Sequence, residues 1–460
     1  MSMANYFDAF DTLALLREFP LGDAFVSTFK SLSRDELRLR QEQRFRRVLR
    51  RAWEIPFYQR RYRAVGLEPG DIRGLDDIGK LPTFAKADIM RSIEEHPPLG
   101  DFHGWRRGEP VVLHTTSGTT GKPQALLFGP KTREIQNLLL ARAYLLQGLR
   151  ADDVVHSVYG FGMINGGHYV RETFLHWTTA LFLPAGTGNE TPSAQQVQLL
   201  RDFGVTWIVG FADYIKRLAE VAHAQGIVPG RDIRLRTISG HLGRENRTAL
   251  SSLWGGAEVY DWYGVGDTGI IACEGPDRDG LYVFEDAHYL ELLDVEGGKP
   301  VAPGESGDMV VTVLFKDDVY PMLRFNTHDV SAFAAGASAL GLNLRRIQGF
   351  LGRSDNMVKL RGINIFPQAL GPMLEEHPAF AGEYLCRAER DAAGRDDLTV
   401  LIEVRADTGD DAKLASAFRM LLKNKLGIAV KVELAAPGAL AALTGIESRQ
   451  KPIRLIDERK

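Results

Sequence analysis

Between residues 153 and 263 short apolar runs alternate with segments of helical spacing. Runs at residues 153–157, 180–184, 207–210, 235–239 and 258–263 are interleaved with helical patterns at 195–203, 214–225 and 244–254. Each change of period marks a βα unit, and a series of such units lays its strands into a largely parallel sheet. Ligands of sheets of this kind collect at the loops beyond the strand C-termini. Residues 160–167, 210–213, 239–243 and 263–269 all fall at such positions, so four loops are expected to converge on one crevice.

After Gly280 the texture becomes antiparallel, with strands expected at 281–284, 289–293 and 308–315 and turns at Gly297-Gly298 and Pro303-Gly304. This reads as a small β subdomain. Beyond Gly352 strands at 356–361, 383–390, 398–405 and 430–434 accompany helices at 367–376 and 411–426. That is a compact α+β unit of about a hundred residues, an ordinary size for a separate domain. Residues 349–355 read as its linker. Near the start, Leu37, Gln41, Phe45, Val48, Leu49 and Ala52 keep helical spacing while Arg38, Arg40, Arg44, Arg46, Arg47, Arg50 and Arg51 fill the other faces. The arginines read as a solvated face with no assigned role.

With 460 residues, 44% hydrophobic and 25% charged, the chain has material for two or more packed domains. A formal charge of -3 gives no global bias toward nucleic acid or membrane, and the 11 histidines show no metal-ligand spacing. Cys273 and Cys386 are far apart, which argues against a disulfide framework or a cysteine-rich zinc site and fits a reducing cytoplasm. The first residues lack a basic stretch followed by an apolar core, and no run of about 18 apolar residues occurs. A cytoplasmic protein without nucleic-acid or membrane partners is expected.

The densest chemistry lies in His114-Thr-Thr-Ser-Gly-Thr-Thr-Gly-Lys-Pro123, between the apolar runs at 111–113 and 125–128. Gly118 and Gly121 let backbone N–H groups turn toward an anion, Ser117, Thr119 and Thr120 add hydroxyls, and Lys122 adds charge. A phosphate cradle is the reading. The glycines stand three apart and Pro123 follows the lysine, so the Walker spacing is absent.

With the later motifs, the cradle resembles the adenylate-forming enzymes, and within them the phenylacetate-CoA ligase family. The resemblance is carried by Ile55-Pro-Phe-Tyr58, Leu81-Pro-Thr-Phe84 with Lys86, Tyr159-Gly-Phe-Gly-Met-Ile-Asn-Gly-Gly167 and Tyr263-Gly264. It continues through Gly280-Leu-Tyr-Val-Phe-Glu-Asp286, Arg324-Phe-Asn-Thr-His-Asp329, Gly352-Arg-Ser-Asp355, Arg361-Gly-Ile-Asn-Ile-Phe-Pro367 and Lys451. It implies an α/β protein with a large N-terminal adenylation domain (residues 1–351) of βα-unit sheets and a small β subdomain. A hinge (352–355) would then lead to a small mobile α+β C-terminal domain (356–460).

The implied reaction is attack of a carboxylate on the α-phosphate of ATP, loss of pyrophosphate, and displacement of AMP by the thiol of coenzyme A. Positioning and neutralisation of developing charge are the protein's tasks in such chemistry. By resemblance, Lys451, Asp267 and Lys122 are catalytic, and Asp267 also ligates Mg²⁺. ATP or AMP is met by the cradle residues, Gly240, His241, Asp261, Tyr263, Gly264, Asp329 on the ribose, and Arg353. Asp355 is the hinge, and Arg361 and Gly362 face coenzyme A. Tyr159, Phe161, Ile164, Phe211 and His241 border an aromatic acid, with Met163 nearby.

The chain departs from the family's pattern twice. Gly240-His-Leu-Gly243 stands where the family carries Gly-Ala-Glu-Pro, and Gly266-Asp267 where it carries Ser/Thr-Glu. His241 either reads a polar substituent of the substrate, or merely fills volume or meets adenine. Asp267 is one methylene shorter than glutamate, so the ion or a water must move to meet it. Three functions stay open: an aryl acid-CoA ligase, an adenylating enzyme whose acceptor is a carrier-protein thiol, an amine or another small nucleophile, and an inactive nucleotide-binding homologue. A homodimer is an open assembly.

Overall fold

The structure is a computed structural model and describes residues 5–116, 123–243, 245–360, 363–390, 396–406, 411–446 and 452–459. It divides into two compact units, one of residues 1–243, 247–327 and 331–349 and one of residues 244–246, 328–330 and 350–460. None of the helices among the described residues is long and apolar enough to cross a membrane.

The βα alternation builds the main sheet of the first unit. Its strands run in the order Arg346–Ile347, Leu281–Val283, Gly269–Glu274, Glu258–Val265, Thr237–His241, Trp207–Phe211, Val154–Ser157 and Leu181–Leu183. The five from Glu258–Val265 to Leu181–Leu183 are parallel, and the strands on the other side of Glu258–Val265 are antiparallel. The helix Ala212–Ala224 buries Ile215, Leu218, Ala219 and Ala222 in a core shared with Ile208, Ile238, Leu250 and Trp254. The parallel strands are close enough that a Cβ on Gly240 would sit 1.8 Å from the Gly210 carbonyl oxygen, so only glycine fits there.

One expectation shifts. Residues 281–283 join the main sheet, while the smaller sheet is made by His288–Leu293, Ser306–Val313, Met322–Ala332 and Gly352–Arg353. The local alternation was right for strands, but partner choice depends on register, which alternation does not encode. The solvated-face reading of the arginine helix holds for Arg46, Arg47 and Arg50 and is corrected for Arg44 and Arg51. In Arg34–Ala52, Arg44 is buried, donates to the carbonyls of Asp286 and Glu18, and stacks over Phe19 at 4.3 Å. Arg51 donates to the Asp318 and Gly104 carbonyls at 2.6 and 3.1 Å. Arginine's long apolar stem and fork of donors let it satisfy loop carbonyls that the helix covers.

Sequence periodicity did not disclose the helix Pro130–Leu146, in which every residue from 132 to 144 is buried. It threads the unit with its charges paired: Arg142 makes a two-pronged bond to Asp286 at 2.9 and 3.0 Å, and Arg133 meets Glu172 and Asn165.

In the second unit the sheet order is Lys431–Ala435, Asp396–Val404, Phe380–Arg390 and Leu455–Asp457. The helix Asp411–Leu426 sets Leu414, Phe418 and Leu422 into its core. Strands Val358–Leu360 and Ile363–Ile365 pair antiparallel. The helix expected at 367–376 is instead a 3₁₀ turn, Pro367–Ala369, followed by the short helix Gly371–Leu374. Gly371-Pro372 interrupts it: a proline imposes extended preference on its predecessor and starts helices more readily than it continues them.

Candidate active site

The C-terminal ends of Val154–Ser157, Trp207–Phe211, Thr237–His241 and Glu258–Val265 lie along one edge of the main sheet, because these strands are parallel neighbours. They deliver an aromatic cluster there. Tyr159 meets Phe211 edge-to-face with centroids 5.1 Å apart, Phe211 stacks on His241 at 5.5 Å, and His241 lies 3.9 Å from Trp262. The Tyr159 hydroxyl is 3.0 Å from His241 Nδ1, while His241 Nε2 faces the Gly264 carbonyl at 3.4 Å. A carbonyl only accepts, so the proton is assigned to Nε2, and Nδ1 then accepts from Tyr159. Both ring nitrogens therefore already face protein groups. Burial pushes the Tyr159 phenol well up, which keeps it a donor.

The loop from Tyr159 runs beside the strand that leads into the cradle. Thr115 N–H donates to the Met163 carbonyl at 2.7 Å, and Thr115 bridges Ile164. Phe161 packs edge-on against His168 at 5.3 Å, and His168 stacks on His114 at 4.9 Å. Burial, helped by nearby Arg133 and His168, pushes the His114 imidazole down to about 4, so it is neutral. Ser117 to Lys122, Arg361, Gly362 and Lys451 lie outside the described residues.

Asp261 is buried and shapes the divergent loop: its Oδ1 accepts from Leu242 N–H at 2.9 Å. Its own N–H donates to Glu274, which also binds Arg247 and Arg278. Burial raises its carboxyl to about 7, with Glu274 pushing the same way and the Leu242 and Gly243 amides and Arg247 opposing. Tyr263 is buried too, and its hydroxyl donates to Thr327 Oγ1 at 3.3 Å, on the strand that carries Asp329 two residues later.

Asp267 lies behind the cradle's exit strand. Its Oδ1 accepts from Gln124 Nε2 at 2.6 Å and from the Tyr320 hydroxyl at 3.1 Å, and its backbone carbonyl accepts from Lys316 Nζ at 2.9 Å. Burial raises this carboxyl, opposed by Lys316, Gln124 and Tyr320. Among the described residues no three His, Cys, Asp or Glu side chains form a metal-holding group. A magnesium ion held mainly by nucleotide phosphates and water needs only one or two carboxylates. Asp267 fits that mode, one oxygen being fixed by two donors as outer-shell partners fix a ligand.

In the second unit Arg353 joins two carboxylates. It donates to Asp329 Oδ1 at 2.8 Å and to both oxygens of Asp355 at 2.8 and 2.6 Å. Asp329 and Arg353 also face each other in the antiparallel pairing of Met322–Ala332 with Gly352–Arg353. Gly352 has φ +150, and a Cβ there would lie 2.4 Å from the Phe366 ring.

Residues 81–313 match the AMP-binding enzyme family, and residues 362–459 match the AMP-binding enzyme C-terminal domain. The phenylacetate-coenzyme A ligase of Pseudomonas putida is 30% identical over 440 residues, covering 92% of this chain and 95% of that protein. The chain belongs to the phenylacetate-CoA ligase family of adenylate-forming enzymes. The relative from Aromatoleum evansii, also a phenylacetate-coenzyme A ligase, is 28% identical over 433 residues, with 91% and 94% of the two chains covered. Among solved structures, 2-hydroxyisobutyryl-CoA ligase in the postadenylation state with 2-HIB-AMP is similar with a TM-score of 0.78 at 25% identity, covering 92% of this chain and 89% of that one. The same ligase with 2-HIB-AMP and CoA in its thioester-forming state has a TM-score of 0.68 at 27% identity, with 94% and 92% covered.

The fold thus brings together Tyr159, Phe211, Gly240, His241 and Gly264 in one cluster, and Asp329, Arg353 and Asp355 in another. Phe161 and Ile164 sit beside the cradle strand, outside the first cluster's ring contacts. Sequence reasoning missed Trp262, Gln124, Lys316 and Tyr320. Trp262 was open to discovery, since strand alternation sets it two residues from Tyr260 and next to Tyr263. Lys316 and Tyr320 carried no local signal, because only the tertiary fold brings them to Asp267.

Proposed function

We propose that this chain activates an aryl or arylalkyl carboxylic acid with ATP and transfers the acyl group to coenzyme A. The observation that carries the reading is the wall of Tyr159, Phe211, His241 and Trp262 at the ends of four neighbouring parallel strands. A cluster of aromatic rings, edge-on, tilted and stacked against one another, favours an apolar, aromatic acyl group beside it. Because both nitrogens of His241 face Tyr159 and Gly264, the ring serves as wall and as support for Tyr159, which favours an unadorned aromatic ring over one with a polar substituent.

In the first step a carboxylate oxygen of the acid attacks the α-phosphorus and the bond to pyrophosphate breaks. Ser117, Gly118, Thr119, Thr120, Gly121 and Lys122 hold the phosphates, and Lys451 supplies charge at the reacting centre. Asp329 accepts from the ribose hydroxyls with Arg353 beside it. Gly240, Tyr263 and Gly264 border the nucleotide, and Asp261 acts on it through the loop at 240–243. Asp267 would hold magnesium, which would neutralise phosphate charge when bound. In the second step the thiol sulfur attacks the acyl carbon and the bond to AMP breaks. Asp355 is the hinge between a large domain (1–351) and a small one (356–460), and Arg361 and Gly362 face coenzyme A. Relatives named as coenzyme A ligases support this acceptor over a carrier-protein thiol, an amine or another small nucleophile.

The test is pyrophosphate release with a panel of aryl and arylalkyl acids and 2-hydroxyisobutyrate, each with and without coenzyme A. An aryl acid should give the fastest release, and thioester should form only with coenzyme A. Preference for the small hydroxy acid would overturn the aryl assignment, and acid-dependent release without thioester would overturn the acceptor.

A further inference from the structure

We infer that Gln124 is a positioning residue that aims the Asp267 carboxylate and locks it to the exit of the phosphate cradle. The inference rests on the adenylating function proposed above. Gln124 is the second residue after Lys122 and closes the cradle: its carbonyl accepts from Thr116 N–H at 3.0 Å and its N–H donates to Thr116 Oγ1 at 3.1 Å. The same residue sends its side chain inward, fully buried, and Nε2 donates to Asp267 Oδ1 at 2.6 Å. A bond this short from an amide to a carboxylate is charge-assisted and directional.

Gln124 is not there for packing. Among the described residues its Oε1 is buried without a hydrogen-bond partner, a cost that an apolar side chain of the same volume would avoid. The amide is useful only for the proton it directs at Asp267. Tyr320 directs a second donor at the same oxygen, and Lys316 holds the backbone of the same residue. Side chain and main chain of Asp267 are thus fixed from three directions, Oδ1 is saturated, and Oδ2 is the oxygen left to meet a cation. Where the family's glutamate is replaced by a shorter carboxylate, a neighbour anchored in the cradle itself sets where that carboxylate points.

The test uses the full chain with Gln124→Met, which keeps the volume and removes the donor, and Tyr320→Phe, which removes the other donor. Mn²⁺ is the probe, titrated by electron paramagnetic resonance in the presence of an ATP analogue with a methylene between the α- and β-phosphorus atoms. Loss of an outer-shell partner should weaken Mn²⁺ binding by about tenfold or more in Gln124→Met. Tyr320→Phe should weaken it in the same direction. The melting temperature should stay within a few degrees, and in ATP–pyrophosphate exchange kcat should fall while KM for the acid holds. Mn²⁺ binding unchanged in both variants would overturn the inference, as would a loss confined to a variant that has unfolded. If the wild type exchanges pyrophosphate with no acid while the Mn²⁺ difference persists, the catalytic reading fails and the positioning role stands.

Discussion

Asp261→Asn isolates how the divergent loop at 240–243 is held. The wild-type carboxyl is buried, accepts from Leu242 N–H at 2.9 Å, and is raised from 3.8 to about 7, first by burial and then by Glu274. The sign follows from proton counting. Between pH 3.8 and about 7 the folded chain keeps a proton that the unfolded chain has released, so stability falls as pH rises through that window and levels above it. The displacement corresponds to about 4 kcal/mol between the two ends. Asparagine keeps the acceptor for Leu242 and cannot ionise, so the variant should lack this slope. Melting temperatures of both proteins, followed by tryptophan fluorescence from pH 4.5 to 8, give the difference curve. The wild type should lose ground to the variant as pH rises toward 7. A difference that is flat across the range would refute the reasoning, because it would mean that the carboxyl ionises in the fold as it does in water.

Tyr159→Phe keeps the ring packed against Phe211 and removes the donor to His241 Nδ1, so stability should fall by roughly 1–2 kcal/mol while, on the proposed function, an aryl acid is still activated; loss of all pyrophosphate release would show that the hydroxyl itself takes part. Arg142→Met strands the fully buried Asp286 carboxylate and should cost roughly 3–5 kcal/mol, largely recovered in Arg142→Met/Asp286→Leu, as melting curves of the single and double variants would show. Lys316, buried against the Asp267 carbonyl, is lowered from 10.5 to about 8, chiefly by burial. Its unfolded form holds a proton longer, so stability should rise relative to Lys316→Met between pH 8 and 10.5, measurable by the same melts.

The sheet was legible where period alone decides. The strand and helix alternation from 153 to 263 recurs in the structure within a few residues, because buried parallel strands and their covering helices carry distinct local patterns. Helix Pro130–Leu146 was illegible for the opposite reason: buried on every side, it has no polar face to set a period, and Arg133, Glu134 and Arg142 disguise it as surface. That Tyr159 and Phe211 stand together was legible because both sit at strand ends on the same side of the sheet. Trp262, Gln124 and Lys316 depend on side-chain direction and on contacts up to 143 residues apart in sequence, as for Gln124 with Asp267.

The two departures from the family's motifs have a common physical character. Each falls in a short segment after or near a strand end of the main sheet, and the polar residue it introduces, His241 or Asp267, is held by protein partners. His241 is held through Tyr159 and Gly264 and wedged between Phe211 and Trp262, in a loop whose next amide is capped by Asp261. Asp267 is held by Gln124, Tyr320 and Lys316. Loops that had drifted away from function would leave such polar groups exposed or unsatisfied, since maintaining buried hydrogen bonds to ionisable side chains is costly unless their geometry is used. The departures therefore read as a rebuilt site whose new side chains are held in place by the fold, and the inactive homologue is the reading that this arrangement least supports.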